Sequence, residues 1–220
     1  MAFPLTHLCV ARQVLDKFPA PSPELFLLGS IAPDAVHYRD GFVGATMNDI
    51  GPAKKLTHLY PPGSEEKWGQ ITDINGWAES ILAFLHANPN DDLAIGYVVH
   101  ILTDMHNHQT IWNEYRANYS EEFAKGYASK YYTDLKSIDI RLYNEFFKSS
   151  ATREMLESAT PRDIPNLICK QELEAIKNNL INIQYKNAPT YADTSGCVYI
   201  TYEKTLQFIQ DAAEFCLKIL

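Results

Sequence analysis

The stretch Ile95-Gly-Tyr-Val-Val-His-Ile-Leu-Thr-Asp-Met-His-Asn-His108 decides the fold of this chain. Leu93, Ala94, Tyr97, Val98, Val99, Ile101, Leu102 and Met105 place apolar side chains on nearly every side of a helix, and such a helix is normally a buried one. Asn90-Asp91-Asp92 precedes it, supplying a side-chain cap and acidic residues suited to the positive helix end. The pattern predicts a helix running to about Tyr115. His100, Asp104 and His108 lie inside it at i, i+4 and i+8. They drift only about 80° around the axis and so share one face. A buried aspartate costs several kcal/mol unless it is paired, hydrogen-bonded or bound to metal. Two arrangements satisfy it. The three residues are metal ligands, or they form a buried polar network with backbone carbonyls and a neighbouring helix end. His106 lies about 200° around from Asp104 and His108, off the shared face.

Composition sets the class. The chain has 220 residues, 46% of them hydrophobic, which is enough for one domain with a sizeable core. A net charge of −8 lacks the basic footprint of non-specific nucleic-acid binding, so no stable nucleic-acid complex is expected. It does not exclude hydrolysis of a small phosphodiester, because bound cations would reverse the local field. Cys9, Cys169, Cys197 and Cys216 are scattered, with no C-x-x-C pair, and read as free thiols in a reducing compartment. Met1-Ala-Phe-Pro-Leu-Thr-His7 has neither the basic nor the apolar region of a signal peptide, and no apolar run reaches about 18 residues. The expectation is a cytoplasmic protein with no transmembrane segment. Gly-x-Gly-x-x-Gly, P-loop, Gly-x-Ser-x-Gly and His-Glu-x-x-His motifs are all missing.

Helical spacing predicts a first helix over Thr6–Phe18 and a second from Ser22-Pro23-Glu24 to Ile31, ended by Ala32-Pro33. His7 opens the first helix, where position alone suggests a capping or surface histidine. Asp34 follows the proline directly and reads locally as a turn cap. Residues 38–63 read as one long irregular stretch containing His58, and long loops in compact domains are often functional. Further helices are expected over about Trp68–Asn88, Ser120–Ser149, Thr160–Ile183 with Pro161 at its first position, and Val198–Leu220. No strand alternation and no internal repeat is visible. The fold class is all-α: a single domain over residues 1–220 with six to eight helices.

Five pieces in this order resemble the zinc-dependent phospholipase C superfamily, related to zinc-dependent single-strand nucleases. They are Thr6-His7, Leu28-Gly-Ser-Ile-Ala-Pro-Asp34, Thr57-His58, Gly96-Tyr-Val-Val-His100, and Asp104 with His108. They span about half of the chain. The resemblance implies an all-α phospholipase C-like fold in which Asp34, His58, His100 and Asp104 ligate one metal. It implies that His7 binds a neighbouring ion bridged by Asp104, and that His108 contributes to a further one. Members of the family complete that last ion with a downstream His-x3-Glu pair. No histidine follows His108 here, so if that ion is bound a carboxylate must serve, and Asp139 is the candidate; a carboxylate that faces solvent or caps a tyrosine hydroxyl is the alternative reading of the same residue.

Neutral imidazole and carboxylate suit Zn2+, and also Fe, Mn or Ni; a cluster without thiolates is not a zinc-finger site. Two or three zinc ions are expected. Mixed His/Asp sites with open positions serve hydrolysis through a metal-activated water. The expected activity is therefore metal-dependent hydrolysis of a phosphoric ester. Its substrate is a small-molecule or lipid phosphodiester, with a choline lipid and a nucleotide as candidates. Asp34 has a second role in orienting or deprotonating the attacking water, and His106 or His37 is the candidate proton donor to the leaving group. Three alternatives stand beside this. A nucleotide or nucleic-acid phosphoesterase is one, although the His-Asp dipeptide of the HD group is missing. A metal-binding protein without catalytic activity is another, favoured by the missing downstream histidines. A helical interaction module without metal would require every clustered polar residue to be a packing accident.

Overall fold

The computed structural model describes residues 3–44, 46, 49–63 and 71–220. Its helices begin where local chemistry favours a start. Proline at the first helical position, where its missing N–H is harmless, opens α1 (Pro4–Leu15), α2 (Pro23–Gly29) and α3 (Pro52–Thr57). Asp73 caps α4 (Ile74–Ala87) by accepting the Gly76 N–H at 2.8 Å. Asp91 caps α5 (Asp92–Asn107), its Oδ1 accepting from Leu93 N–H (3.0 Å) and Ala94 N–H (3.2 Å).

The central helix is buried, as its pattern predicts: every residue of α5 except His106 is inside the protein. α1, α2, α4 and α11 (Tyr202–Leu217) all pack on it. The tightest approach is α2 against α5, made by two glycines. A Cβ on Gly29 would stand 2.1 Å from the Leu93 carbonyl oxygen, and one on Gly96 would stand 2.0 Å from that of Phe26. No side chain fits either position, so the two backbones touch directly.

The chain is all-α, and among the described residues the sole strand-like feature is an isolated bridge between Ile164 and Ile168. It has more helical pieces than the expected six to eight, because the long helical runs are interrupted. α5 does not continue as α-helix to Tyr115. It passes into a π-helical turn, His108–Trp112, and then α6 (Asn113–Asn118). The Ser120–Ser149 run divides at Gly126, which has a left-handed φ of 58°. It yields α7 (Ser120–Phe123), α8 (Lys130–Leu142) and a π-helical turn, Tyr143–Phe147, before α9 (Ala151–Ser158). No helix starts at Pro161. Pro165 disfavours helical backbone in the residue before it, and Asn166 turns the chain at φ 64°. α10 (Lys170–Asn178) starts later, where the Glu172 carboxylate accepts the Cys169 N–H at 2.9 Å. The 38–63 segment is not wholly irregular, since α3 lies within it. The expected helix start at Trp68 lies outside the described residues.

One hydrophobic cluster runs from Leu5 to Cys216. Arg39 ties the two ends of the chain together, its Nε donating to Glu172 (2.6 Å) and its Nη2 to the Leu167 carbonyl (2.5 Å). Among the described residues no helix is long and apolar enough to cross a membrane.

The glycine crossing gives a direct test. Gly96→Ala forces α2 and α5 apart and should lower stability by about 3 kcal/mol or more, read by denaturant unfolding. A variant as stable as the wild type would show that the crossing is not close-packed.

Candidate metal centre

Four elements deliver five side chains to one point. His7 comes from the first turn of α1, and His100 and Asp104 come from α5. Asp34 comes from a 3-10 turn, Ala32–Tyr38, which begins within three residues of the α2 end. His58 caps the C-terminus of α3. All but Asp34 are fully buried, and Asp34 keeps 16% side-chain exposure.

His58 and His100 each face both carboxylates. His58 Nε2 lies 3.5 Å from Asp34 Oδ1 and 3.8 Å from Asp104 Oδ2; His100 Nε2 lies 4.0 Å from Asp34 Oδ2 and 3.8 Å from Asp104 Oδ2. His7 Nε2 lies 3.6 Å from the other Asp104 oxygen, Oδ1. These separations are too long for good hydrogen bonds. They match ligands around a shared centre, since donors about 2.0–2.1 Å from a tetrahedral zinc stand roughly 3.4 Å from each other. His7–Asp34–His100 and His58–His100–Asp104 each bring their donor atoms within 4.8 Å of one another. Asp104 meets the His58–His100 pair with one oxygen and His7 with the other.

The ring tautomers are set from outside the cluster. His100 Nδ1 donates to the Ser30 carbonyl at 2.8 Å, which turns the Nε2 lone pair inward. The Thr57 hydroxyl leans on the Lys54 carbonyl (3.4 Å) and is 3.2 Å from His58 Nδ1, so the same tautomer is favoured at His58. Trp77 Nε1 donates to the His58 carbonyl at 2.7 Å and the Tyr97 hydroxyl donates to that of Thr57, fixing the backbone beneath the ring. Leu59 follows directly with a left-handed φ of 55°, a conformation that disfavours a branched residue by about 1–2 kcal/mol. The His7 ring stacks on His100 with centroids 3.7 Å apart.

Nε2 of His7, His58 and His100, together with Nδ1 of His7, are buried without a hydrogen-bond partner among the described residues. A single buried orphan of this kind costs about 1–3 kcal/mol, and a cation would relieve the three Nε2 atoms that face the two carboxylates; the second His7 nitrogen, which carries the proton when Nε2 keeps its lone pair, is not among them. The donors are imidazole and carboxylate with no thiolate, which fits zinc or a neighbour in its series. Burial, aided by His100, pushes His7 down to about 3; burial, aided by the Lys54 ammonium, pushes His58 down to about 4. Burial alone would raise Asp34, but Lys54 and His58 outweigh it and hold the carboxyl well below its usual range. Burial likewise opposes ionisation of Asp104, and His7 and His100 overcome it. Neutral imidazoles and ionised carboxylates are the forms that bind metal.

Asp139 and His108 do not join this cluster. Asp139 Oδ1 accepts the Leu5 N–H at 3.2 Å and Oδ2 accepts the Tyr185 hydroxyl, so this buried carboxylate caps α1. His108 is half-buried where the π-helical turn begins. A rise of about 1.5 Å per residue puts it about 12 Å along the axis from His100, too far to share one ion with it. His106 stacks on Phe208 and Phe215 of α11, at 5.6 and 5.1 Å. His37 lies at the outer side of Asp34, its Nε2 4.0 Å from Oδ1.

Lys54 is the residue that sequence reasoning missed. Its side chain is only 3% exposed, and its Nζ donates to Asp34 Oδ1 at 3.1 Å. The available signal was its position four residues before His58, behind a Gly51-Pro52 helix start. A cavity of about 250 Å³ opens over Asp34, His37 and Lys54. Comparison of the chain with protein-family models, curated proteins and solved structures finds no match.

The depressed histidines make metal-free stability pH-dependent. An unfolded histidine takes up its proton near pH 6.5, whereas folded His58 resists until about 4. His58 therefore contributes stability above pH 6.5 that is lost as pH falls toward 4. In chelator-treated protein, the loss in unfolding free energy between pH 7 and pH 5 should be smaller for His58→Gln than for wild type. An unchanged slope would contradict the neutral, buried state of this ring.

Proposed function

We propose that the chain is a metal-dependent phosphoric ester hydrolase of the phospholipase C-like kind, acting on a phosphodiester. The observation that carries it is the set of three unpaired Nε2 atoms converging on two carboxylates inside the protein. Its chain order and residue types are those of the resemblance found in the sequence. His58, His100, Asp34 and Asp104 would hold one ion, and His7 with Asp104 would contribute to a neighbour. Ions held there supply Lewis acidity and a water of lowered pKa.

The protein's own groups divide the remaining work. Asp34 is the cluster member that both faces the histidines and lines the cavity, so it can orient a water against an ester held above it. His100 and His58 keep their lone pairs inward through Ser30 and Thr57. His37 borders the cavity and can reach a leaving group, whereas His106 packs against α11 and takes no part. A metal-binding protein without turnover is the competing reading. It is favoured by the positions of Asp139 and His108, which leave a third ion without its ligands.

Hydrolysis of bis(p-nitrophenyl) phosphate by zinc-loaded protein tests the proposal. The wild type should turn over, and Asp34→Asn should lose about a hundredfold or more in kcat. A zinc-loaded wild type inert toward this diester, a choline phospholipid and a dinucleotide would overturn the hydrolase reading in favour of metal binding alone.

A further inference from the structure

Lys54 stands out among the charged residues because the metal cluster does not require it. It is a lysine on a short helix, almost wholly buried, and its ammonium donates to one acceptor among the described residues, Asp34 Oδ1. An ammonium carries three N–H donors, so two remain unspent in a place with little water. Burying a cation is unfavourable unless its hydrogen bonds and charge are met. The same side chain lines the cavity of about 250 Å³ beside Asp34 and His37.

Charge makes this arrangement asymmetric once the cluster is loaded. Asp34 and Asp104 balance one divalent ion, which leaves the Lys54 charge uncompensated; a second ion makes the excess larger. Asp34 would then share its charge with the metal, and its hold on Lys54 would weaken. The group best suited to the unspent donors is an anion reaching in from the cavity. Phe3, Tyr127 and Tyr132, whose rings adjoin one another, line the same cavity together with Asn179 and Gln184, so a flat or apolar substituent can be held in the cavity that Lys54 enters.

We infer that Lys54 is a substrate-binding residue: its ammonium grips a phosphoryl oxygen of a small phosphoester whose organic group rests on the aromatic wall. The inference rests on the metal-site reading above and adds the contact that selects an anionic ester. The cavity volume favours a compact ester over the acyl chains of a lipid, which would have to remain outside.

The test is isothermal titration of inorganic phosphate into the zinc-loaded full chain, with zinc content measured in the same samples. Lys54→Gln keeps a donor for Asp34 but removes the charge. It should bind zinc as the wild type does and bind phosphate about tenfold or more weakly. Lys54→Arg, which keeps the charge, should lose less. A second reading needs no variant: in isotope-labelled wild type, phosphate should shift one lysine side-chain resonance. Equal phosphate affinity in the glutamine variant and wild type would overturn the inference while leaving the metal site intact, as would a wild type in which phosphate shifts no lysine resonance. Tighter zinc binding in the glutamine variant with unchanged phosphate affinity would show that Lys54 only neutralises Asp34 in the metal-free protein. Loss of zinc binding by the wild type itself is a different failure, that of the metal-site reading.

Discussion

Two helices touch backbone to backbone at Gly29 and Gly96, and the geometry of the candidate centre depends on that contact. Bringing α2 this close to α5 sets the Ser30 carbonyl where it accepts from His100 Nδ1, and the chain turns at once into the segment that carries Asp34. A Cβ at either glycine would push α5, which carries His100 and Asp104, away from α2 and from the 3-10 turn with Asp34 that follows α2. Close packing thus acts directly on site chemistry, because the tautomer of His100 is decided by a carbonyl that only a glycine crossing allows so near.

The rest of the centre is held under electrostatic tension. Two carboxylates, three imidazoles and the Lys54 side chain crowd together, with four buried ring nitrogens lacking a hydrogen-bond partner among the described residues. Side-chain networks built for stability normally satisfy their buried polar atoms. Here Trp77 and Tyr97 donate to backbone carbonyls and the Ser30 carbonyl accepts from His100 Nδ1, while the inward-facing Nε2 atoms have no partner among the described residues. The left-handed Leu59 beside His58 adds local strain of the kind that collects where a side chain must be aimed. A satisfied surround with open inward-facing atoms is compatible with metal binding.

The sequence was informative where spacing and local chemistry act alone. Apolar residues all round α5 announced a buried helix, and the cap at Asp91 placed its start. His100 and Asp104, one turn apart, do face the same centre. His108, two turns on from His100, lies outside the converging donor groups, because sharing a face does not remove the rise along the axis, and the helix changes to π geometry there. His7, Asp34 and His58 could not be placed by local pattern, since each is a cap or loop residue whose partners lie far along the chain; only their order relative to α5 linked them. Asp139 takes the alternative role that its setting among tyrosines allowed: it accepts from the Tyr185 hydroxyl and from the Leu5 N–H, although which tyrosine and which helix start it meets is tertiary information that local pattern does not carry. Lys54 was invisible for the converse reason: a lysine in a polar stretch reads as solvent-facing until the fold places Asp34 against it.

Whether these five residues form a metal site is read by elemental analysis of the purified full chain. At least one zinc or related transition metal per chain is expected in the wild type, and its loss in Asp104→Asn, whose carboxylate lies between both groups of histidines. A folded wild type that holds no metal after reconstitution with zinc or iron would contradict the metal site and leave the cluster as a polar network.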